Sequence, residues 1–234
     1  MDRSNNSNLD MLELAVNRLG EVADDLVFLG GCATGLLLTD AAAPPIRMTQ
    51  DVDAIAEVAS LGDYYALSER LRGKGFSEDQ NDGSPICRWM GHGVVLDVMP
   101  TNPDVLGFGN EWYQPALKAA IRMALPSGKS IRLVTAPYFL ATKLAAFDGR
   151  GQGDYLLSHD IEDMVAVLDG RPEIVEEARS SDPGLREYLA LRFSGLLSDS
   201  RFSSAVHGHL PADFISQQRV PIVIQWIKAL AEAQ

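Results

Sequence analysis

The spacing of apolar residues changes period along the chain, and that change predicts two regions. Leu9, Leu12, Val16 and Leu19 recur at helical intervals and Gly20 follows as a stop, which predicts an amphipathic first helix. A short apolar run at 26–29 is broken by Gly30 and Gly31, and apolar residues resume over 33–38. This is the pattern of a buried strand, a glycine turn and a helix. A second strand is expected over 51–58 and a helix over 61–72, with Tyr64, Leu67 and Leu71 on one face. The stretch ICRWMGHGVVLDVMP holds two β-prone runs around Gly91-His92, as in a hairpin, and 130–134 offers a further strand. From Thr135 onward the period is helical. Thr135 is placed to cap one helix with Pro137 in its first turn, and Ser158 to cap another that stops at Gly170. Further helices fit 183–199 and 211–233, the last kinked or interrupted by Pro221. GRGQGD, 149–154, has the composition of a mobile link. The expected organisation is an α/β (α+β) core over 1–134, with a mixed sheet and flanking helices, followed by an α-helical region over 135–234.

Composition narrows the class. With 46% hydrophobic and 22% charged residues in 234 positions, the chain has the balance of a globular protein with a sizeable core. Its apolar runs are too short to span a bilayer, and the polar start MDRSNNSNLD lacks the layout of a secretory signal, so a cytoplasmic location without membrane contact is expected. Cys32 and Cys87 stand apart and are expected to be buried thiols. His207-Gly-His209 lacks a third ligand and reads as a surface loop. The net charge of −12 repels a polyanion at long range. That excess fits either solvated helix faces or carboxylates gathered for a cation.

Candidate chemistry lies in the first region. Side chains of a strand alternate faces, so Asp51 and Asp53 are expected on one side, with Val52 and Ala54 on the other. Two such carboxylates repel unless a cation lies between them. Asp97 repeats the anomaly in the apolar run VVLDVM. Three aspartates on adjacent strands supply the ligands for two divalent ions roughly 3.5–4 Å apart. Gly30-Gly31 complements them, since residues without Cβ let backbone N–H groups approach a phosphate at the start of a helix.

On Gly30-Gly31, Asp51/Asp53 and Asp97, the chain resembles the nucleotidyltransferase superfamily typified by DNA polymerase β. FLGGCATGLLL, TQDVDAI, FLATKLAAFDGRG and HDIEDMVAVL are similar to the AbiEii/MenT group of toxin-type nucleotidyltransferases, over residues 26 to 170. The resemblance implies an EC 2.7.7-class enzyme that moves a nucleoside monophosphate from an NTP to a hydroxyl. It implies two Mg2+ ions, replaceable by Mn2+, on Asp51, Asp53 and Asp97, with Asp97 also helping to deprotonate the acceptor. It further implies nucleotide contacts from Gly30, Gly31, Thr34 and Lys143, and from Asp160 and Asp163 of the DxxD segment. Lys143 reads equally well as a lysine snorkelling from an apolar helix, and Asp160 as a favourable first-turn charge. Two departures bear on the acceptor: the inserted TDAAAPPIRM, and Thr49-Gln50 in place of the commoner Ser-x. RNA, specifically a tRNA 3′ end, is the expected acceptor and a cognate antitoxin a further expected partner. Lys118, Arg122, Lys129, Arg132 and Arg150 are the candidate basic contacts. A small-molecule acceptor of the aminoglycoside kind, or a non-catalytic protein of this fold that binds a nucleotide or partner, are the alternatives.

Overall fold

A computed structural model describes residues 7–151 and 153–233. The first six residues of the polar N-terminal stretch and Gln152 of the glycine-rich link lie outside the described residues. The chain divides into two compact units, Met1–Gly35 with Arg47–Thr135 and Leu36–Ile46 with Ala136–Gln234.

The first unit is built on one seven-stranded mixed sheet. Its strands are β1 (Leu26–Leu29), β2 (Val52–Ala56), β3 (Ser77–Glu78), β4 (Arg88–Gly91), β5 (Val94–Pro100), β6 (Ile121–Ala124) and β7 (Ser130–Leu133). They lie in the order β3-β4-β5-β2-β1-β7-β6, so β2 is central. It runs antiparallel to β1 and parallel to β5. Helices α1 (Ser7–Leu19), α2 (Gly30–Leu37), α3 (Leu61–Gly73) and α4 (Tyr113–Lys118) complete the unit, the last two residues of α2 counting with the second. α1 buries Asn8, Leu12, Ala15, Val16 and Leu19, whereas Leu9, expected on that stripe, is only half-buried and Asn8 takes its place. Ser60 starts α3 through a reciprocal capping box with Asp63. Phe28, Ile55, Trp89 and Leu96 are fully buried.

The hairpin of β4 and β5 turns one residue later than the sequence pattern suggests. Gly91 pairs with Val94, which leaves His92-Gly93 as the two-residue loop. Both have positive φ, 55° and 78°, as a tight hairpin requires to match the twist of its strands.

The second unit is helical. It comprises α5 (Ala136–Arg150), α6 (His159–Gly170), α7 (Ile174–Arg179), α8 (Pro183–Leu197), α9 (Ser200–Gly208), α10 (Phe214–Gln217) and α11 (Val220–Ala231). Ser158 caps α6, its hydroxyl accepting from Ile161 N–H at 3.4 Å. The helix expected over 211–233 is two helices, because Pro221 falls in the first turn of α11, where its missing N–H is harmless. The helix expected over 183–199 ends at Leu197, and Asp199 caps the next. The stretch after α2 is fastened inside this unit: Thr39 and Asp40 N–H groups both donate to Gly170 C=O, and Arg219 pairs with Asp40. Among the described residues no helix is long and apolar enough to cross a membrane.

Gly93→Ala tests the hairpin turn. A Cβ there meets nothing within 4 Å, so the whole penalty comes from forcing a φ of 78° on an L side chain. We expect a loss of about 1–2 kcal/mol in urea unfolding, whereas an unchanged midpoint would mean that the turn relaxes freely.

Candidate active site

Register builds the site. Leu29 of β1 pairs with Asp53 of β2, Asp53 pairs with Asp97 of β5, and Asp97 pairs with Arg88 of β4. Residues directly opposite across a ladder share a face. Leu29, Asp53, Asp97 and Arg88 therefore form one row across four neighbouring strands. Asp51 precedes Asp53 by two positions at the mouth of β2.

The glycine turn meets this row. Gly30 has φ 73°, and a Cβ on it would lie 1.9 Å from Asp53 Oδ2, so only glycine lets the backbone pass so close to that carboxylate. A Cβ on Gly31 would reach to 2.9 Å from Arg47 Nη2 and 3.2 Å from Thr49 Cβ. The strap 47–49 thus runs against the turn. Thr34 is buried and its hydroxyl donates to Gly30 C=O at 3.1 Å.

Asn8 and Arg88 are the members of the site that the sequence motifs miss. Asn8 is 1% exposed. Its Nδ2 donates to Arg47 C=O at 2.8 Å and its Oδ1 accepts from Thr49 N–H at 3.0 Å, clamping the strap that leads into Asp51. Thr49 hydroxyl in turn donates to Asp51 Oδ1 at 2.7 Å. Arg88 grips Asp97 in fork geometry, Nε to Oδ1 at 2.8 Å and Nη2 to Oδ2 at 2.7 Å. The same Nη2 reaches Asp51 Oδ2 at 2.9 Å. These carboxylates raise the pKa of the guanidinium, through the Asp97 hydrogen bonds above all, and keep it charged. Beside Asp97, burial first and then its negative charge push the Cys87 thiol up to about 12, so this cysteine is an inert core group. The signals available in the sequence were an asparagine on the apolar stripe of α1 and a lone arginine in ICRWM.

Three carboxylates, hard oxygen donors on two neighbouring strands and just before one of them, have the chemistry that Mg2+ or Mn2+ takes. Asp51 and Asp97 already converge on one positive charge, that of Arg88. Among the described residues, however, no group of three or more His, Cys, Asp or Glu stands ready to hold an ion. The donors fit the metal in kind and neighbourhood, and the guanidinium holds two of them.

The other expected residues meet in the second unit. Lys143, 8% exposed, lies with its ammonium 2.6 Å from Asp163 and 3.2 Å from Asp160. Arg150 closes on Asp160 with two bonds, Nε to Oδ2 at 2.8 Å and Nη2 to Oδ1 at 2.7 Å. Burial pushes the Asp160 carboxyl upward, but Arg150 and Lys143 outweigh it and hold the group below the ordinary aspartate range. His209 Nε2 is 2.7 Å from Tyr155 C=O and His207 Nδ1 is 3.2 Å from Gln217 Oε1.

No family model and no curated protein matches the chain. Among solved structures it is similar to an antigenic nucleotidyltransferase-like protein from Paracoccidioides brasiliensis, at 20% identity over 87% of this chain and 93% of that one, TM-score 0.49. It is also similar to the antibiotic-resistance factor ANT(2'')-Ia, at 16% identity over 82% and 96%, TM-score 0.46. JHP933 from Helicobacter pylori aligns at 11% identity over 96% of this chain and 92% of that one, TM-score 0.47.

Two substitutions test these networks. Asn8→Ala leaves Arg47 C=O and Thr49 N–H without the clamp and is expected to cost about 1–3 kcal/mol, with faster hydrogen exchange at the Thr49 amide. Unchanged exchange there would assign the strap to other contacts. Lys143→Met takes the ammonium away from two buried carboxylates, leaving Arg150 on Asp160, and is expected to cost about 3 kcal/mol at neutral pH. Because the Asp160 pKa is depressed, its contribution is present above the ordinary aspartate range and is lost as pH falls through and below it. The gap between wild type and variant should therefore shrink in acid, and a constant gap from pH 7 to pH ~3 would contradict the ion-pair account.

Proposed function

We propose that the chain is a metal-dependent nucleotidyltransferase that moves a nucleoside monophosphate from an NTP to a hydroxyl of RNA. One observation carries this reading: Asp53 and Asp97 stand side by side on the central strands, directly against a glycine turn that opens a helix. The backbone at Gly30 and Gly31 is suited to receive phosphate oxygens at the N-terminal end of α2. Asp51, Asp53 and Asp97 would hold Mg2+, which when bound neutralises charge on the triphosphate and on the departing pyrophosphate. The acceptor oxygen attacks the α-phosphorus in line, forming the new O–P bond as the bond to pyrophosphate breaks. Asp97 is the group assigned to take the hydroxyl proton. Asn8, through Arg47 and Thr49, holds Asp51 in place.

An RNA acceptor is favoured by the basic residues of the first unit. Arg122 and Arg132 are register partners on β6 and β7. Arg132 also pairs with Val27, two positions from Leu29, so both arginines lie on the sheet face that carries Asp53 and Asp97. Like charges placed opposite each other repel, and a polyanion relieves that repulsion. Lys118 and Lys129 are exposed. A tRNA 3′ end as the acceptor, and a toxin role held in check by an antitoxin, are the specific form of this proposal.

Purified protein incubated with each α-labelled NTP, Mg2+ and either total tRNA or an aminoglycoside panel should label the RNA, more weakly as salt rises. Asp97→Asn should abolish labelling while circular dichroism stays native. Label in the small-molecule fraction with RNA untouched would replace the acceptor, and no label in either would remove the transferase reading.

A further inference from the structure

We propose that Arg88 is a resident cation of the carboxylate site and that Asp51 is its exchanging partner: a divalent ion binds by taking Asp51 from Arg88. This rests on the reading of Asp51, Asp53 and Asp97 as metal ligands.

The two halves of the Arg88 contact are unequal. Toward Asp97 the guanidinium makes a two-bond fork, between residues that are register partners on paired strands. Backbone hydrogen bonding therefore holds these two side chains together, and the fork adds a second constraint. Toward Asp51 there is a single bond at 2.9 Å, made by an Nη2 already engaged with Asp97. Asp51 lies outside β2, just after the strap held by Asn8 and two positions before Asp53, the register partner of Asp97. Exposure follows the same gradient, the side chain of Asp97 being 10% exposed and that of Asp51 30%. The weaker, wetter contact is the one that yields.

Both oxygens of Asp51 accept a hydrogen bond, Oδ1 from Thr49 and Oδ2 from Arg88. An incoming ion competes with both, and the cation is the partner it repels. Charge favours the exchange, because Asp51 and Asp97 share the Arg88 guanidinium and a dication offers Asp51 more charge than its single bond to Arg88. The guanidinium thus keeps the carboxylates gathered while the ion is absent and sets the ion concentration at which the site loads. The price is affinity, since the ion sees only the fraction of molecules in which Asp51 has let go.

Mn2+ binding to the nucleotide-free protein, followed by electron paramagnetic resonance, tests this without any assay of transfer. Arg88→Met is expected to bind Mn2+ about tenfold more tightly than wild type. Arg88→Lys, which keeps the charge but cannot fork to one carboxylate while reaching a second, is expected to fall between them and guards against a folding defect in the first variant. In wild type, nitrogen-resolved NMR of the guanidinium should show Mg2+ shifting the Arg88 Nη signals while its Nε–H remains protected by Asp97. Equal or weaker Mn2+ binding in both variants, or an Arg88 spectrum untouched by saturating Mg2+, would overturn the exchange and leave the transferase reading standing. Absence of Mn2+ binding in wild type and variants alike would overturn both.

Discussion

The parallel ladder between β2 and β5 is the constraint on which the site depends. Five consecutive pairs, from Val52↔Leu96 to Ala56↔Pro100, set its register. Ala54, Ile55, Leu96 and Val98 are all buried, so apolar packing decides which residues of the two strands stand opposite each other. Because side chains alternate faces, a slip of one position in either strand would send its aspartate to the other side of the sheet. The polar row is carried in register by apolar neighbours that do no chemistry. β1 extends the same logic, pairing Leu29 with Asp53 and so delivering the glycine turn against that carboxylate.

Gathering carboxylates creates an electrostatic problem, and each unit meets it with a cation of its own. In the first, Arg88 spans Asp51 and Asp97. In the second, Lys143 and Arg150 serve Asp160 and Asp163, and Arg219 serves Asp169 and Asp40. A buried carboxylate without such a partner would lose its charge or destabilise the fold by several kcal/mol. The Arg88 and Lys143 sets differ in exposure. Lys143, Asp160 and Asp163 have side chains at most 9% exposed, which suits a permanent tie, whereas Asp51 and Arg88 retain 30% and 24%. The wetter pair has room to exchange.

The helices and strands with strong periods were readable from the chain because burial of one face imposes that period locally. α1, α3 and β1 fall where the pattern puts them, and the strand that carries Asp53 covers Val52–Ala56 of the expected 51–58, leaving Asp51 just outside it. β6 leaves no strand pattern in the sequence because Ile121 and Arg122 are exposed and its edge position imposes no alternation. α4 and α7, six residues each, are too short to show a helical period. The hairpin loop was displaced by one residue in the sequence reading because Gly91-His92 and His92-Gly93 are both plausible turns, and only the pairing of Gly91 with Val94 distinguishes them.

By itself the sequence determined the anomalies: aspartates in apolar strands, a doubled glycine before a helix, and a long helical second half. Each is a property of neighbours along the chain, visible wherever a residue type contradicts its local pattern. Tertiary structure alone decided what the anomalies touch. That Arg88 meets both Asp97 and Asp51, that Asn8 clamps a strap some forty positions away, and that Lys143 faces Asp160 and Asp163 all depend on strand order, register and helix packing. Such partners are chosen by the cost of leaving buried polar groups unpaired. That cost arises only once the chain has folded and excluded the water that would otherwise satisfy them.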